Sequence, residues 1–343
     1  MKLSLFFFSG RGAEGDPDPY RLLLDATRFA DQRGFSSVWV PERHFEQFGG
    51  LYPNPSLLAA AIAVRTERIQ IRAGSVVLPL HHVVRVAEEW AVVDNLSGGR
   101  VGLSLAPGWH PNDFVMRPEA FRSAKADLPA AVEQLRALWR GHPVELEAGD
   151  GRRIPVRTLP RPQLRELPLW LTTAGSRDTL VRAGEMGTGL LAAMFARHQT
   201  LDEVCRRVAT YRGALASAGR DPGAFDVTMA MHTFVGRSDA EVRERVREPI
   251  SEYLLTFIQQ SARYMDSLGS ARADDLRSMV DRAFDRYFDN AALLGSPEKC
   301  VAFIQALAGA GVDEVACLID FGLDVEQTMS SLELLDEVRA AVA

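Results

Sequence analysis

A carboxylate, a guanidinium and an imidazole follow one another directly after a short apolar run. The run is Ser37–Val40, and the polar residues are Glu42, Arg43 and His44. An imidazole exchanges a proton near neutral pH, so His44 could act as a general base or hydrogen-bond partner. Glu42 or Arg43 would then set its charge and tautomer. A structural histidine that caps a loop shows the same pattern, and that alternative stays open.

A second polar cluster follows the apolar run Val101–Ala106. Gly108 permits a sharp turn, and Trp109 offers a flat apolar wall to a ligand. Three nearby polar side chains offer hydrogen-bonding groups: His110, Asn112 and Asp113. A loop whose polar residues only satisfy their own backbone would look the same.

A third candidate joins hydroxyls and a glycine at the start of a predicted helix. Gly175 is followed by Ser176, Arg177 and Thr179. Backbone N–H groups at a helix N-terminus attract anions, so the two hydroxyls and the guanidinium could hold a phosphate. The alternative is an ordinary serine N-cap. Neither a Walker loop nor a GxGxxG motif occurs, so a standard nucleotide-binding fold gains no support.

Small residues end the third apolar run of the chain. Ala73, Gly74 and Ser75 would let a planar ligand lie against the backbone. Close packing inside a barrel demands the same residue types, so both interpretations remain. His81 and His82 follow shortly afterwards, and adjacent histidines are awkward joint ligands for one metal ion.

Composition excludes several classes of partner. The chain has 343 residues, of which 47% are hydrophobic and 24% charged, as in folded globular proteins. The net charge is −6, from 39 basic and 45 acidic residues. Proteins that bind nucleic acid or anionic membranes need a basic face, so neither partner is expected.

Cysteine content and the N-terminus bear on the cellular compartment. Cys205, Cys300 and Cys317 are odd in number and lack CxxC spacing, which fits neither a disulfide framework nor a structural zinc site. The apolar run at the N-terminus is too short for a signal peptide and is interpreted as a buried strand. No window reaches the roughly 18 apolar residues of a membrane span. These patterns predict a cytoplasmic protein.

The sequence has neither an HExxH motif nor a tight triad of metal-ligating residues, so no catalytic metal is expected.

Eight apolar runs alternate with helical patterns along the whole chain. Continuous apolarity is typical of parallel strands covered on both faces, and eight such units predict a single (β/α)₈ barrel over residues 1–343. A doubly wound open sheet is the alternative. The predicted strands are Leu3–Phe8, Ser37–Val40, Ile69–Leu78, Val101–Ala106, Leu169–Thr173, Gly189–Phe195, Phe225–Val235 and Glu314–Asp320.

Two stretches interrupt the regular spacing. Residues 141–168 contain two alternating runs around a Gly-Asp-Gly turn, which predicts a hairpin before the fifth strand. Residues 237–292 form a predicted helical insertion after the seventh strand. Loops that follow barrel strands form the catalytic mouth, so the second insertion is the better candidate for a lid or substrate wall.

Several long motifs, in one order, resemble the bacterial luciferase-like monooxygenases, and among them the MupA-like branch of natural-product biosynthesis. The similarity covers most of the chain. The motifs are Pro41–Phe45, Phe48–Pro55, Arg72–His81, Arg85–Trp90, Val93–Val101, Gly108–Phe114, His232–Gly236 and Cys317–Gly322.

The resemblance implies a (β/α)₈ barrel that binds reduced FMN, supplied by a separate flavin reductase, and reacts it with molecular oxygen. A flavin C4a-(hydro)peroxide would then hydroxylate a substrate or insert oxygen beside a carbonyl, as in a Baeyer–Villiger reaction. Such a cofactor carries the oxygen chemistry, so the protein needs a dry pocket and a few polar groups. The implied substrate is a biosynthetic intermediate, free or tethered to a carrier protein, and a homodimer through the second and third units is expected.

Site roles also follow from the resemblance. His44 matches the family's active-site histidine, and the Gly74–Ser75 bond matches a non-prolyl cis peptide beside the flavin. Ser176 and Thr179 match hydroxyls that hold the FMN phosphate. A cysteine and a phosphate-binding arginine of bacterial luciferase are replaced by Ala106 and Pro107. The cofactor contacts expected here are Gly74, Ser75, Ala106, Trp109, Gly175, Ser176, Arg177 and Thr179.

Other functions are compatible with the same motifs. Related barrels use a deazaflavin as oxidoreductases, and others have lost catalysis and only bind flavin. The sixth strand region, 191–198, departs from the family's usual pattern on the substrate side, which suggests a different substrate. A metal-dependent barrel hydrolase has the least support.

Overall fold

The computed structural model describes residues 1–8, 17–194, 200–265 and 273–343. Within them, eight parallel strands close into a barrel in the order β9-β11-β1-β2-β3-β4-β7-β8, and β8 pairs again with β9. The strands are β1 Lys2–Phe6, β2 Ser37–Val40, β3 Gln70–Val77, β4 Val101–Ala106, β5 Val144–Glu147, β6 Arg153–Val156, β7 Leu169–Thr173, β8 Gly189–Ala193, β9 Val227–Val235, β10 Leu293–Gly295 and β11 Glu314–Leu318. The closed barrel confirms the predicted fold class and removes the open-sheet alternative.

Helices alternate with these strands and cover the barrel. They are α1 Arg21–Arg33, α2 Pro55–Ala63, α3 Val83–Ser97, α4 Ala124–Arg140, α5 Arg177–Met186, α6 Leu201–Ser217, α7 Asp239–Met265, α8 Ala273–Asn290, α9 Pro297–Gly309 and α10 Val325–Ala341. No helix within the described ranges is long and apolar enough to cross a membrane.

Both of the insertions that the sequence predicts contain regular secondary structure. The antiparallel pair β5–β6 forms the hairpin before β7, and the insertion after β9 contains α7 and α8. The sequence missed the short strand β10, which pairs with Thr233–Val235 at the end of β9. Several predicted strands were one to two residues too long, because apolar residues continue into the loops. The end of the predicted sixth strand, Phe195, lies outside the described residues.

A buried ion pair crosses the interior of the barrel below the mouth. The Arg72 guanidinium donates to Glu314 Oε2 at 2.6 Å, and Ser37 and Trp39 donate to Oε1 at 2.8 and 3.1 Å. Arg72 also lies 4.4 Å from the ring centre of Trp170. These contacts link β2, β3, β7 and β11, and so fix the strands whose ends form the site.

Candidate active site

The carboxyl end of β2 places a buried carboxylate between two histidines. Glu42 Oε1 accepts hydrogen bonds from His44 Nε2 at 2.9 Å and from His81 Nε2 at 2.6 Å. Glu42 Oε2 accepts the backbone N–H of Val77 at 2.7 Å. Burial raises the pKa of Glu42, but the hydrogen bonds from the two rings and the Val77 amide hold it below its usual value overall.

This network fixes how His44 presents its ring. An ionised carboxylate only accepts hydrogen bonds, so His44 carries its N–H at Nε2 and keeps Nδ1 for another partner. The His44 side chain is 9% exposed. The next residue, Phe45, has a left-handed backbone with φ 59° and an exposed ring 5.5 Å from the imidazole.

The end of β3 carries a cis peptide bond between Gly74 and Ser75, as the resemblance implied. A Cβ atom at Gly74 would lie 2.9 Å from the Phe6 ring and 3.2 Å from the Trp39 ring. Packing inside the barrel therefore accounts for the glycine.

Hydroxyl groups from three neighbouring strands meet beside this bond. Ser75 Oγ lies 2.5 Å from Thr172 Oγ1, which lies 2.6 Å from Ser104 Oγ. The chain of hydroxyls joins β3, β7 and β4 at one height in the barrel. Ser75 and Thr172 are partly exposed and can present donors and acceptors to a polar-edged ligand, whereas Ser104 is fully buried.

The loop after β4 folds over Gly108, whose φ is 77°. A Cβ atom there would lie 2.8 Å from the Phe114 ring, so only glycine fits. Ala106 is partly exposed at the end of the strand, and the Trp109 side chain is 49% exposed. His110 is buried, with Nδ1 3.4 Å from Asp113 Oδ1.

Burial acts on both members of that last pair. It lowers the pKa of His110 and raises the pKa of Asp113, although each group's charge counteracts the shift of the other. Glu46 Oε1 lies 4.0 Å from His110 Nε2. The loop therefore brings titratable groups into the mouth, in addition to the apolar wall.

The turn from β7 to α5 builds the predicted serine N-cap. Ser176 Oγ accepts the Thr179 N–H at 3.3 Å and lies 2.8 Å from Thr179 Oγ1. Both predicted hydroxyls thus share one helical turn, whereas Arg177 is exposed. The serine N-cap of α5 is confirmed.

Sequence reasoning missed an arginine beside this turn. Gly175 has φ 97°, and a Cβ atom on it would overlap the guanidinium of Arg207 from α6. Arg207 Nε also donates to Glu203 Oε1 at 3.0 Å, and the Arg207 side chain is 23% exposed. No pattern in the sequence connects residues 175 and 207, since the contact depends on how α5 and α6 pack.

The opposite side of the mouth has a buried aromatic cluster under α7 and α8. His232, near the end of β9, is hydrogen-bonded through Nδ1 to the Tyr287 hydroxyl. The Tyr253 ring centre lies 4.1 Å from that of His232, and the Phe321 ring centre lies 5.4 Å away. Burial lowers the pKa of His232 to about 3 and raises the pKa of both tyrosines. His232 is therefore neutral at physiological pH.

Arg43 and Asp320 complete this side. The Arg43 guanidinium lies 4.8 Å from the ring centre of Phe8 and 5.4 Å from that of Phe48. Asp320 accepts the Phe8 backbone N–H at 3.0 Å and the Tyr52 hydroxyl at 3.0 Å. The sequence had marked Arg43 only as a neighbour of His44, and it gave Asp320 no role.

The described residues contain no group of three or more side chains suited to hold a metal ion. The mouth instead combines a hydroxyl-lined side, formed by β3, β4 and β7, with an aromatic side, formed by β9 and the helices α7 and α8. His44, at the end of β2, lies at the same end of the barrel.

Comparisons with known proteins agree with this architecture. The chain is 24% identical to the oxygenase component of flavin-dependent trigonelline monooxygenase from Acinetobacter baylyi, over 99% of this chain and 95% of that protein. The monooxygenase RslO1 from Streptomyces bottropensis superimposes with a TM-score of 0.81 at 23% identity, covering 99% of both chains. The FMN complex of the oxygenating constituent of 3,6-diketocamphane monooxygenase, from Pseudomonas putida, gives a TM-score of 0.80 at 21% identity, covering 99% and 98%.

The fold also occurs with another cofactor. An F420-dependent secondary alcohol dehydrogenase superimposes with a TM-score of 0.71 at 18% identity, and the alignment covers both chains completely. Fold likeness alone therefore leaves the cofactor open. The sequence profile described as luciferase-like monooxygenase matches residues 1–314, most of the chain. The chain therefore belongs to the luciferase-like monooxygenase family, and it is an oxidoreductase of the monooxygenase class.

Proposed function

We propose that this chain is the oxygenase component of a two-component monooxygenase that uses reduced FMN and molecular oxygen. The observation that carries the proposal is the pairing of the hydroxyl chain Ser75–Thr172–Ser104 with His44, whose N–H is fixed toward Glu42. These groups suit a planar, polar-edged cofactor and a proton transfer beside it. Reduced FMN, when bound, supplies the electrons that activate oxygen.

The residues present fit such a cofactor at both of its ends. Ser75 and Thr172 would face the polar edge of the ring system, with Trp109 and Ala106 beside it. Ser176, Thr179 and backbone N–H groups at the start of α5 would hold the phosphate. We assign the missing positive charge to Arg207, because positions 106 and 107 at the end of β4 carry alanine and proline and Arg207 packs against Gly175 of the turn.

His44 moves the proton in this proposal. Its Nε2–H group remains hydrogen-bonded to Glu42, so Nδ1 is the atom that accepts or returns a proton at the reacting centre. The aromatic cluster with neutral His232 would exclude water and orient the substrate. No step requires a nucleophilic side chain of the protein.

The substrate we propose is a natural-product intermediate, free or tethered to a carrier protein, that is hydroxylated or receives oxygen beside a carbonyl. Phe45 and Trp109 are exposed at the ends of β2 and β4, where they could contact an acyl chain. The trigonelline enzyme is named an oxygenase component, which supports a separate reductase for this chain. Cys205 is a free, exposed thiol, which is compatible with a reducing cytoplasm.

We also propose a homodimer through α2 and α3. These helices pack together, and each exposes large apolar side chains. The residues are Leu57, Val64, Val92 and Leu96. Exposed apolar patches of this kind are typical of interfaces, and a second copy of the chain is the occupant that the family resemblance favours. Light scattering should give twice the mass of the chain, and Leu57→Glu with Leu96→Glu should return it to one chain.

Rapid mixing tests the reaction. The protein is mixed with anaerobically reduced FMN and then with oxygen, and absorbance is followed in the near ultraviolet. We expect a transient that outlives the reoxidation of free reduced FMN. Reoxidation at the free rate, with tight binding of a deazaflavin instead, would establish the deazaflavin alternative.

A further inference from the structure

His81 lies behind His44, on the far side of the shared carboxylate. It follows the 3₁₀ turn Leu78–Leu80 that ends β3, and its Nε2 lies 2.6 Å from Glu42 Oε1. Side-chain exposure is 29% for His81, 0% for Glu42 and 9% for His44. The three groups therefore connect solvent with the mouth through one buried oxygen atom.

The charges around this network favour protonation of His81, the more exposed of the two imidazoles. Burial lowers the pKa of His81, but Glu42 and then Glu89 of α3 raise it above its usual value overall. On the mouth side, Asp113 and Arg43 face the network with opposite charges. Arg117 donates to the backbone carbonyls of His81 at 3.0 Å and Pro79 at 3.4 Å, and it also pairs with Glu119 at 3.1 Å.

One positive charge balances the network. An ionised Glu42 with one protonated imidazole is neutral, whereas two protonated rings would leave an unbalanced buried charge. Both rings donate to the same oxygen, so the charge of one ring lowers the attraction that Glu42 exerts on a proton of the other. His81 is consequently the ring on which Glu42 favours the positive charge.

We propose that His81 is a positioning residue that sets the protonation state of His44 through the shared Oε1 atom of Glu42. Only protons move in this scheme: His81 exchanges its proton with solvent, and no bond to the cofactor or substrate is formed. The inference rests on the proposed function for what His44 does in the reaction. The coupling itself is a property of the protein without cofactor.

Imidazole ¹⁵N and ¹H NMR of the cofactor-free protein tests the coupling. The chain has seven histidines, so single substitutions can assign each ring. His81→Gln keeps an N–H donor near Glu42 but removes the titratable charge. We expect the titration midpoint of His44 to rise by about one pH unit in this variant, because the carboxylate then acts on His44 alone. His82→Gln, the matched control at the N-cap of α3, should leave the His44 midpoint unchanged.

The wild-type protein provides a second measurement if His81→Gln does not fold. Its His44 resonances should respond twice, once at the midpoint of His44 and once at that of His81. A single His44 transition, or an unchanged midpoint in a folded His81→Gln protein, would overturn the inference. A coupled titration in a protein that binds no reduced flavin would leave the inference standing and refute the proposed function.

Discussion

The guanidinium of Arg207 lies against the open face of Gly175, where any other residue would place a Cβ atom. Gly175 immediately precedes Ser176, the N-cap of α5. The contact brings a positive charge from α6 to the turn that carries the two phosphate-binding candidates. It gives a physical reason for the glycine, and in the proposed phosphate site Arg207 would supply the positive charge that Ala106 and Pro107 do not.

Arg207→Ala should therefore weaken FMN binding about 10- to 100-fold, the loss expected for a hydrogen bond to a charged group. Riboflavin has the same ring system without the phosphate, so its affinity should not change. Fluorescence titration with both flavins gives the ratio directly. Arg206→Ala is the matched control, because Arg206 binds the same Glu203 carboxylate but is 67% exposed. An FMN-to-riboflavin ratio that stays at the wild-type value in Arg207→Ala would remove Arg207 from the phosphate site.

His44→Ala should lower the rate of product formation about 10²- to 10⁴-fold, the usual contribution of a general acid or base. Flavin affinity should stay within about twofold, because the hydroxyl chain and the α5 turn are untouched. Steady-state turnover and a flavin titration measure the two quantities. His142→Ala, at an exposed position after α4, is the control and should behave as wild type. Unchanged turnover in His44→Ala would contradict its assignment.

The sequence predicted the parts of the site that depend on neighbouring residues. Apolar runs located the barrel strands, and the spacing of Ser176 and Thr179 predicted the N-cap, since each pattern reflects local backbone geometry. Glu42 and His44 are only two residues apart, so their contact was also predictable from the sequence.

Contacts between distant segments were not predictable in the same way. His81 meets Glu42 because β2 and β3 are neighbours, and His232 meets Tyr287 because α8 folds back over β9. The sequence showed an insertion at the right place, but it could not say which face of the insertion would cover the mouth. Such contacts arise from tertiary packing, so the periodicity of apolar residues in the sequence does not predict them.

Glu314→Ala should lower the free energy of unfolding by about 3–5 kcal/mol, because it leaves the Arg72 guanidinium buried without its carboxylate. Urea unfolding at neutral pH measures the loss. Glu333→Ala is the comparison, since Glu333 pairs with Arg33 at an exposed position and should cost less than about 1 kcal/mol. A loss in Glu314→Ala as small as that of Glu333→Ala would show that the interior ion pair does not stabilise the barrel.

His232 should make the protein sensitive to acid. Its pKa in the folded protein is about 3, because burial disfavours the charged ring, whereas an unfolded histidine titrates near 6.5. As the pH falls below about 6.5, the unfolded state binds a proton that the folded state does not, so stability falls with pH until the folded ring also titrates. Between pH 7 and pH 5 this group alone should lower the free energy of unfolding by about 2 kcal/mol.

His232→Gln cannot titrate, so its free energy of unfolding should fall by about that much less than that of the wild type over the same interval. Urea unfolding of both proteins at the two pH values makes the comparison, and all other titrating groups cancel. Equal losses in the two proteins would mean that the ring is protonated, or reached by water, in the folded barrel.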